Sequence, residues 1–330
     1  MIGARIHALS LGATLLALVV GVVVGAGPLA DEAEQRRSGQ LQRLQGTERD
    51  LRGQVADLHR QVAAGDGFVR DVAPALTAGR LSSRTVAVFG LPGASDDEVA
   101  TAVRAVRRAG AGVPITLRLA DVYVDPAQAR SPLEDLSLRL VPPGVDFADG
   151  STAIERVGTV LARATVVGRG DGDNGIDQPA AELLAGLEEL GAVETEGAPG
   201  RRADLAVLVA PDDASWTGAA PGDTVDAAAR DGATEALLGL AVALDEGGRG
   251  AVVVGGPGAA ARGGFVAAVR DGGEAVEGVS SVDGAGSRAG VITLVLALAE
   301  QMDGGAGAYG TGPGAAAVLP PFRLGESGES

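Results

Sequence analysis

The sequence predicts an α/β protein with a single N-terminal transmembrane helix, a short coiled coil and then a doubly wound, mostly parallel α/β domain. Three observations predict it. Residues 8–30 carry no charge. A heptad pattern of Leu and Val follows in a polar, Gln/Arg/Glu-rich stretch. From Arg84 onward, short β-branched runs alternate with amphipathic, capped helical stretches, the pattern of stacked βαβ units.

The charge-free run from Ala8 to Ala30 contains 23 residues. At about 1.5 Å per residue it spans the roughly 30 Å hydrocarbon layer. In lipid its backbone must be satisfied internally, so it is read as a helix. A cleaved signal peptide is the competing reading, but its apolar core is usually only about 7–15 residues. A buried core helix is a third. Arg5 precedes the run, and Asp31, Glu32 and Glu34 open the other side. The positive-inside rule then puts the N-terminus in the cytoplasm and the rest of the chain outside. Gly21 and Gly25 form a G-x-x-x-G pair able to bring two such helices close.

Leu41, Leu44, Leu51, Val55, Leu58 and Val62 occupy a and d positions of one heptad frame, interrupted by Glu48. A lone helix cannot bury that seam, which predicts a homo-oligomer or a partner coiled coil. An amphipathic helix packed on its own domain is the alternative. Gly65-Asp66-Gly67 is expected to end the run, and Asp71–Leu81 to form a connecting helix with Pro74 near its start.

In the α/β region Arg84–Gly90 and Val113–Leu119 read as strands flanking a helix. Ser95 and Glu98 have capping-box spacing at that helix's start, and Val99, Val103 and Val106 mark its apolar stripe. Helices are expected over Ala153–Thr165, Ala180–Leu190, Val225–Leu244, Gly264–Arg270 and Ala289–Gln301, with strands at Ala203–Ala210 and Ala251–Gly255. The organisation is thus a membrane anchor (1–30), a coiled coil with connecting helix (31–81), an extracytoplasmic α/β domain (82–303) and a Gly/Ala/Pro-rich tail (304–330) ordered only in part.

Composition narrows the chemistry. The 330 residues hold 27 basic side chains, all Arg, against 43 acidic ones, for a formal net charge of −16. That balance argues against nucleic acid as a partner. Without Lys there is no phosphate loop of the G-x-x-x-x-G-K-[ST] type. With no Cys there is no disulfide, thiolate metal site or cysteine nucleophile. Gly256-Pro-Gly258-Ala-Ala-Ala261 follows a strand, loosely as in dinucleotide binders. Pro257 lacks an amide and no acidic strand end follows, so a Gly-rich turn is the default. Asp171, Asp173, Asp177 and Glu182 have the spacing of a calcium loop, but Ile176 stands where the turn needs Gly, favouring a solvated acidic loop.

His7 and His59 are the only imidazoles, and neither has a neighbouring Ser or carboxylate that would signal a triad. No catalytic or cofactor-binding residues emerge and no enzyme is expected. Soft transition metals prefer thiolate, thioether or imidazole. With Met302 the only thioether besides Met1, a tight site for such a metal within one protomer is not expected. Carboxylates or carbonyls could hold a metal ion weakly, or ligands could repeat across an oligomer.

Three stretches resemble the actinobacterial copper transporter (MctB-like) family. They are Met1-Ile-Gly-Ala-Arg5-Ile-His7-Ala-Leu-Ser10-Leu with the following Gly21/Gly25 span, then Ser281-Val-Asp283 with Gly290-Val-Ile-Thr-Leu-Val-Leu-Ala297-Leu, and Gly304-Gly-Ala-Gly-Ala-Tyr309-Gly-Thr-Gly312. The resemblance implies a role in copper efflux and copper ion homeostasis at the cell envelope, through a channel or an aid to efflux, with the outer envelope layer as one location. It carries over no ligand residues, so the metal-binding positions stay unknown and copper enters only as a transported or weakly bound ion. A non-transporting coiled-coil scaffold for envelope assembly or cell division is the alternative function.

Overall fold

The computed structural model describes residues 3–26, 28–124, 135–136, 147, 151–168, 174–197, 200–217 and 227–322. The chain forms two compact units, Met1–Gly67 and Phe68–Ser330.

In the first unit, α1 runs over Gly3–Ala26, and α2, which covers Pro28–Thr77, begins there. Pro28 suits a first helical position, because its ring fixes a helical φ and no partner is needed for its missing N–H. The described side chains of α1 from Leu9 to Val23 are exposed, Leu9 at 77% and Val23 at 67%. Among the described residues no helix is long and apolar enough to cross a membrane.

The expected break at Gly65-Asp66-Gly67 does not occur, since α2 is one helix through Thr77. The heptad spacing explains this: after Val62 it continues through Gly65 to Val69, Val72 and Leu76, all three half-buried. An interior glycine costs only about 1 kcal/mol, which the partial burial of Val69, Val72 and Leu76 beyond it offsets. Pro74 lies inside the helix and does not stop it. Leu51, Val55, Leu58 and Val62 are each at least 50% exposed, so the seam is open in the single chain. The side chains of Leu41 and Leu44 lie outside those described.

The second unit is a seven-stranded sheet in the order β3-β2-β1-β4-β5-β6-β7, parallel except for β3 against β2. Its strands are β1 (Val86–Gly90), β2 (Thr116–Leu119), β3 (Val193–Glu196), β4 (Leu205–Val209), β5 (Ala251–Val254), β6 (Ser280–Val282) and β7 (Ala308–Tyr309). The helices are α3 (Asp96–Arg108), α4 (Asp121–Val124), α5 (Ala153–Thr165), α6 (Gln178–Glu189), α7 (Ala227–Gly247), α8 (Phe265–Asp271) and α9 (Arg288–Met302). Central strands β1, β4 and β5 are buried along their whole length, which is why they read as unbroken apolar runs.

Side chains alternate between two cores. Ala87, Phe89, Leu208 and Val253 face the layer of α4–α8, whereas Val86, Val88, Val207 and Val252 face α3 and α9. Capping boxes start two helices. Ser95 and Glu98 satisfy each other's backbone donors at α3, and Thr152 and Glu155 do the same at α5.

One connection departs from the rest. α3 joins β1 to β2 in one direction along the sheet on the first face, while α7 and α8 join β4–β5 and β5–β6 in the other direction on the second. Reversing both direction and face preserves handedness, so these three share a hand. α9 joins β6 to β7 in the direction of α7 and α8 but on the face of α3, giving the opposite hand. About 98% of parallel crossovers are right-handed, so the β6–α9–β7 unit is an exception that its side chains must hold in place.

Candidate functional site

In open α/β sheets ligands bind beyond the carboxyl ends of the strands, where the strand order reverses. Here that point lies between β1 and β4. On the face covered by α4–α8 the chain fills it with its own loops. After β1 the backbone turns at Gly93 (φ +77°), where a Cβ would fall 1.9 Å from Ser215 Oγ. Trp216 is buried beside Phe265, ring centroids 5.3 Å apart, and its Nε1 donates to the Gly263 carbonyl.

The Gly256–Ala261 loop presents the amides that would hold a phosphate, but Asp212 takes them. Gly258 N and Ala259 N donate to Asp212 Oδ1 at 2.5 and 3.2 Å. The loop is a Gly-rich turn closed on an internal carboxylate. Its glycines permit close approach, since a Cβ on Gly256 would meet Asp212 Oδ1 at 2.4 Å. Next to it, Ser215 donates to Asp213 through both its amide and its hydroxyl, holding the Asp213 carboxyl below its ordinary range.

The calcium-like spacing does not assemble into a site among the described residues. Asp177 caps α6 by accepting from Ala180 N at 3.0 Å and lies 3.8 Å from Arg163. Glu182 accepts from Gln178 at 2.8 Å. Asp171 and Asp173 lie outside the described residues. His7 is exposed on α1 and His59 on α2, while Met302 ends α9 against the α3–α9 core. Among the described residues no group of three or more His, Cys, Asp or Glu is placed to hold a metal ion.

The two C-terminal stretches that carried the family resemblance converge on the opposite-handed unit, around a buried ion pair. Arg270, at the end of α8, and Asp283, just past β6, have side chains only 3% exposed and meet at 2.9 Å. Arg270 Nη2 also donates to the Tyr309 carbonyl at 2.8 Å, Nη1 to the Pro313 carbonyl at 2.7 Å and Nε to Ser281 Oγ at 3.2 Å. Asp283 accepts from Thr311 N at 2.8 Å and Gly312 N at 2.9 Å.

Two fixed charges thus pin the Gly-rich strand and turn through backbone groups, which explains how a two-residue β7 persists. Gly310 (φ +127°) is required there, because its Cβ would fall 2.2 Å from Asp283 Oδ1. Tyr309 donates its hydroxyl to Glu300 Oε2 at 2.5 Å, and burial followed by that bond raises its pKa. Gln301 places Nε2 against the carbonyls of Ala251 and Gly278 and the Ser280 hydroxyl, tying α9 to β5 and β6. Sequence reasoning missed the role of Arg270. Its partner lies 13 residues away across a strand, a spacing that neither helix nor strand periodicity marks.

The family resemblance that these stretches carry agrees with comparison to known proteins. The family model described as "Copper transport outer membrane protein, MctB" matches residues 1–320. The chain is 30% identical to the copper transporter MctB of Mycobacterium tuberculosis (strain H37Rv) over 332 residues, covering 96% of this chain and 99% of that protein. It is 29% identical to the copper transporter MctB of Mycobacterium leprae over 355 residues, covering 97% and 100%. A match running from the first helix to the clamped turn shows that the chain belongs to the MctB family of copper transport outer membrane proteins.

Proposed function

We propose that this protein is a cell-envelope component that lowers cellular copper, held to a membrane by α1 and acting as an oligomer assembled through α2. The observation that carries the reading is the family match over residues 1–320, which takes in α1, α2 and the α/β domain together. The printed names of the relatives, copper transporters, supply the ion. The charge-free sequence from Ala8 to Ala30 supports a single span, and Arg5 before it against Asp31, Glu32 and Glu34 after it supports a cytoplasmic N-terminus with the α/β domain outside.

One span cannot enclose an aqueous path, so transport in this reading requires several chains. The open seam of Leu51, Val55, Leu58 and Val62 on α2 supports such assembly. Copper is the cargo. With no donor cluster of three among the described residues, its contacts are weak or shared between protomers. The reading involves no enzymatic step.

The test is copper content and copper tolerance in a strain lacking the gene, complemented with the wild type or with Leu51→Glu/Leu58→Glu. The proposal expects excess copper without the protein, rescue by the wild type and failure of the seam variant. A second reading, a scaffold that docks a partner helix without moving copper, is favoured by the same exposed seam. It would be supported if the seam variant lost a bound partner while the copper content of every strain stayed equal.

A further inference from the structure

A second surface, independent of the copper reading, carries a ligand chemistry of its own. Between the last turns of α2, α3 and the start of α9 lies an open groove of about 640 Å³. Arg70, Arg104, Arg108 and Arg288 line it, all exposed. Three other arginines of this unit meet carboxylates: Arg118 meets Asp96 and Glu196, Arg163 meets Asp177 and Arg270 meets Asp283.

In the groove Arg104 donates only to the Thr101 hydroxyl, and Arg70, Arg108 and Arg288 have no carboxylate partner among the described residues. In a chain with 43 acidic residues, an unneutralised cationic cluster is complementary to an anion from outside. The guanidinium fork suits a carboxylate or phosphate head.

The rest of the lining is apolar. Pro74, Ala105, Val291 and Val295 contribute to the same groove. At Thr101, Gly286 and Val291 it shares its wall with a second hollow of about 170 Å³, lined by Val209, Val254 and Leu294. Asp97 and Glu98 also line that second hollow, so an anionic head is repelled there and drawn to the arginines. The combined shape is a cationic mouth leading to an apolar pocket, within the usual size range of about 300–1,000 Å³ for small-molecule sites.

We propose that this groove binds a small, single-chain anionic amphiphile, its phosphate or carboxylate on Arg104, Arg108 and Arg288 and its hydrocarbon chain against Val291 and Leu294.

The test titrates hexyl phosphate into the full-length protein in zwitterionic-lipid nanodiscs and reads binding by calorimetry. Hexanol and inorganic phosphate are the comparison ligands. The proposal expects saturable binding of hexyl phosphate, about tenfold or more tighter than either comparison ligand, because charge-assisted bonds and apolar burial both contribute. It also expects Arg104→Gln/Arg108→Gln to weaken hexyl phosphate about tenfold or more, while Arg107→Gln, on the same helix but outside the groove, leaves it unchanged. Equal affinity for hexanol would reduce the site to a greasy patch, and equal affinity for inorganic phosphate would reduce it to a simple anion site. Either result overturns the proposal. So does an unchanged double variant, or one whose sedimentation shows that the groove is instead occupied by a second copy of the chain.

Discussion

Replacing Asp283 by Ala removes the anion from a site where its partner cannot reach water. The Arg270 and Asp283 side chains are each 3% exposed, and the carboxylate accepts from Arg270 Nη2, Thr311 N and Gly312 N at 2.8–2.9 Å. The substitution therefore leaves a buried guanidinium without its counter-charge and two amides without an acceptor. Breaking a buried pair from one side costs about 3–5 kcal/mol, against about 0–1 kcal/mol for an exposed pair. For a domain of this size about 1 kcal/mol moves the midpoint by roughly 2–4 °C, so a fall of about 6–20 °C is expected.

Thermal unfolding of the full-length protein, followed by circular dichroism, reads the global loss. Limited proteolysis reads the local one. The segment around Tyr309–Pro313 loses its anchors first, so new cleavage is expected there below the melting transition. A double-mutant cycle with Arg270→Ala should return a coupling of about 2–3 kcal/mol, since the two residues share one network. A cost under about 1 kcal/mol for Asp283→Ala, with the tail still protected, would refute the clamp, because that is the behaviour of a solvent-screened surface pair.

The remaining predictions concern other parts of the chain. Gly310→Ala, forced into a left-handed backbone with Asp283 Oδ1 2.2 Å from the new Cβ, should destabilise the same segment by about 2 kcal/mol or more in the same melts. Ser95→Ala and Thr152→Ala each remove a capping-box hydroxyl and should cost about 1 kcal/mol by chemical denaturation. Leu51→Glu/Leu58→Glu should leave the helical signal in place but lower the mass of the assembly in light scattering, and an unchanged mass would mean the seam is not an interface. Burial raises the pKa of Asp245, so its proton is held more tightly in the folded state. Its ionisation then penalises the fold as pH rises through that raised value. Asp245→Asn keeps the acceptor for Ala251 N, so its stability relative to wild type should increase as pH rises above about 4, the ordinary carboxylate range; a constant difference would contradict this.

Much of the second unit was legible because burial on both faces leaves a plain mark. The apolar runs Ala203–Ala210 and Ala251–Gly255 read as strands and contain β4 and β5, and the helix expected over Ala153–Thr165 has those bounds, held at its start by a Thr152 cap that the sequence reading did not use. β3 was not legible. Its sequence, Val-Glu-Thr-Glu, is that of a solvated edge, and what holds it is the antiparallel pairing to β2 together with Arg118 reaching Glu196. β6 and β7 were missed for a different reason: at three and two residues they are too short for any period, and their stability comes from Arg270, Asp283 and Gln301.

The glycine pair at 65 and 67 misled because a local breaker was weighed without the heptad frame continuing beyond it to Leu76. Of the candidate sites, the Gly256–Ala261 turn was read correctly as a turn, though nothing in its spacing disclosed Asp212 as the group that closes it.

The relatives matched along the chain are named copper transporters, while this chain offers no Cys, two His and two Met; the proposed function joins these two findings if the ion is moved rather than stored. The direct measurement is the rate of copper loss from copper-loaded cells with and without the protein, followed by elemental analysis after transfer to copper-free medium. The account predicts slower loss in cells lacking the protein and recovery when the full-length chain is restored. Equal rates in all strains would contradict it.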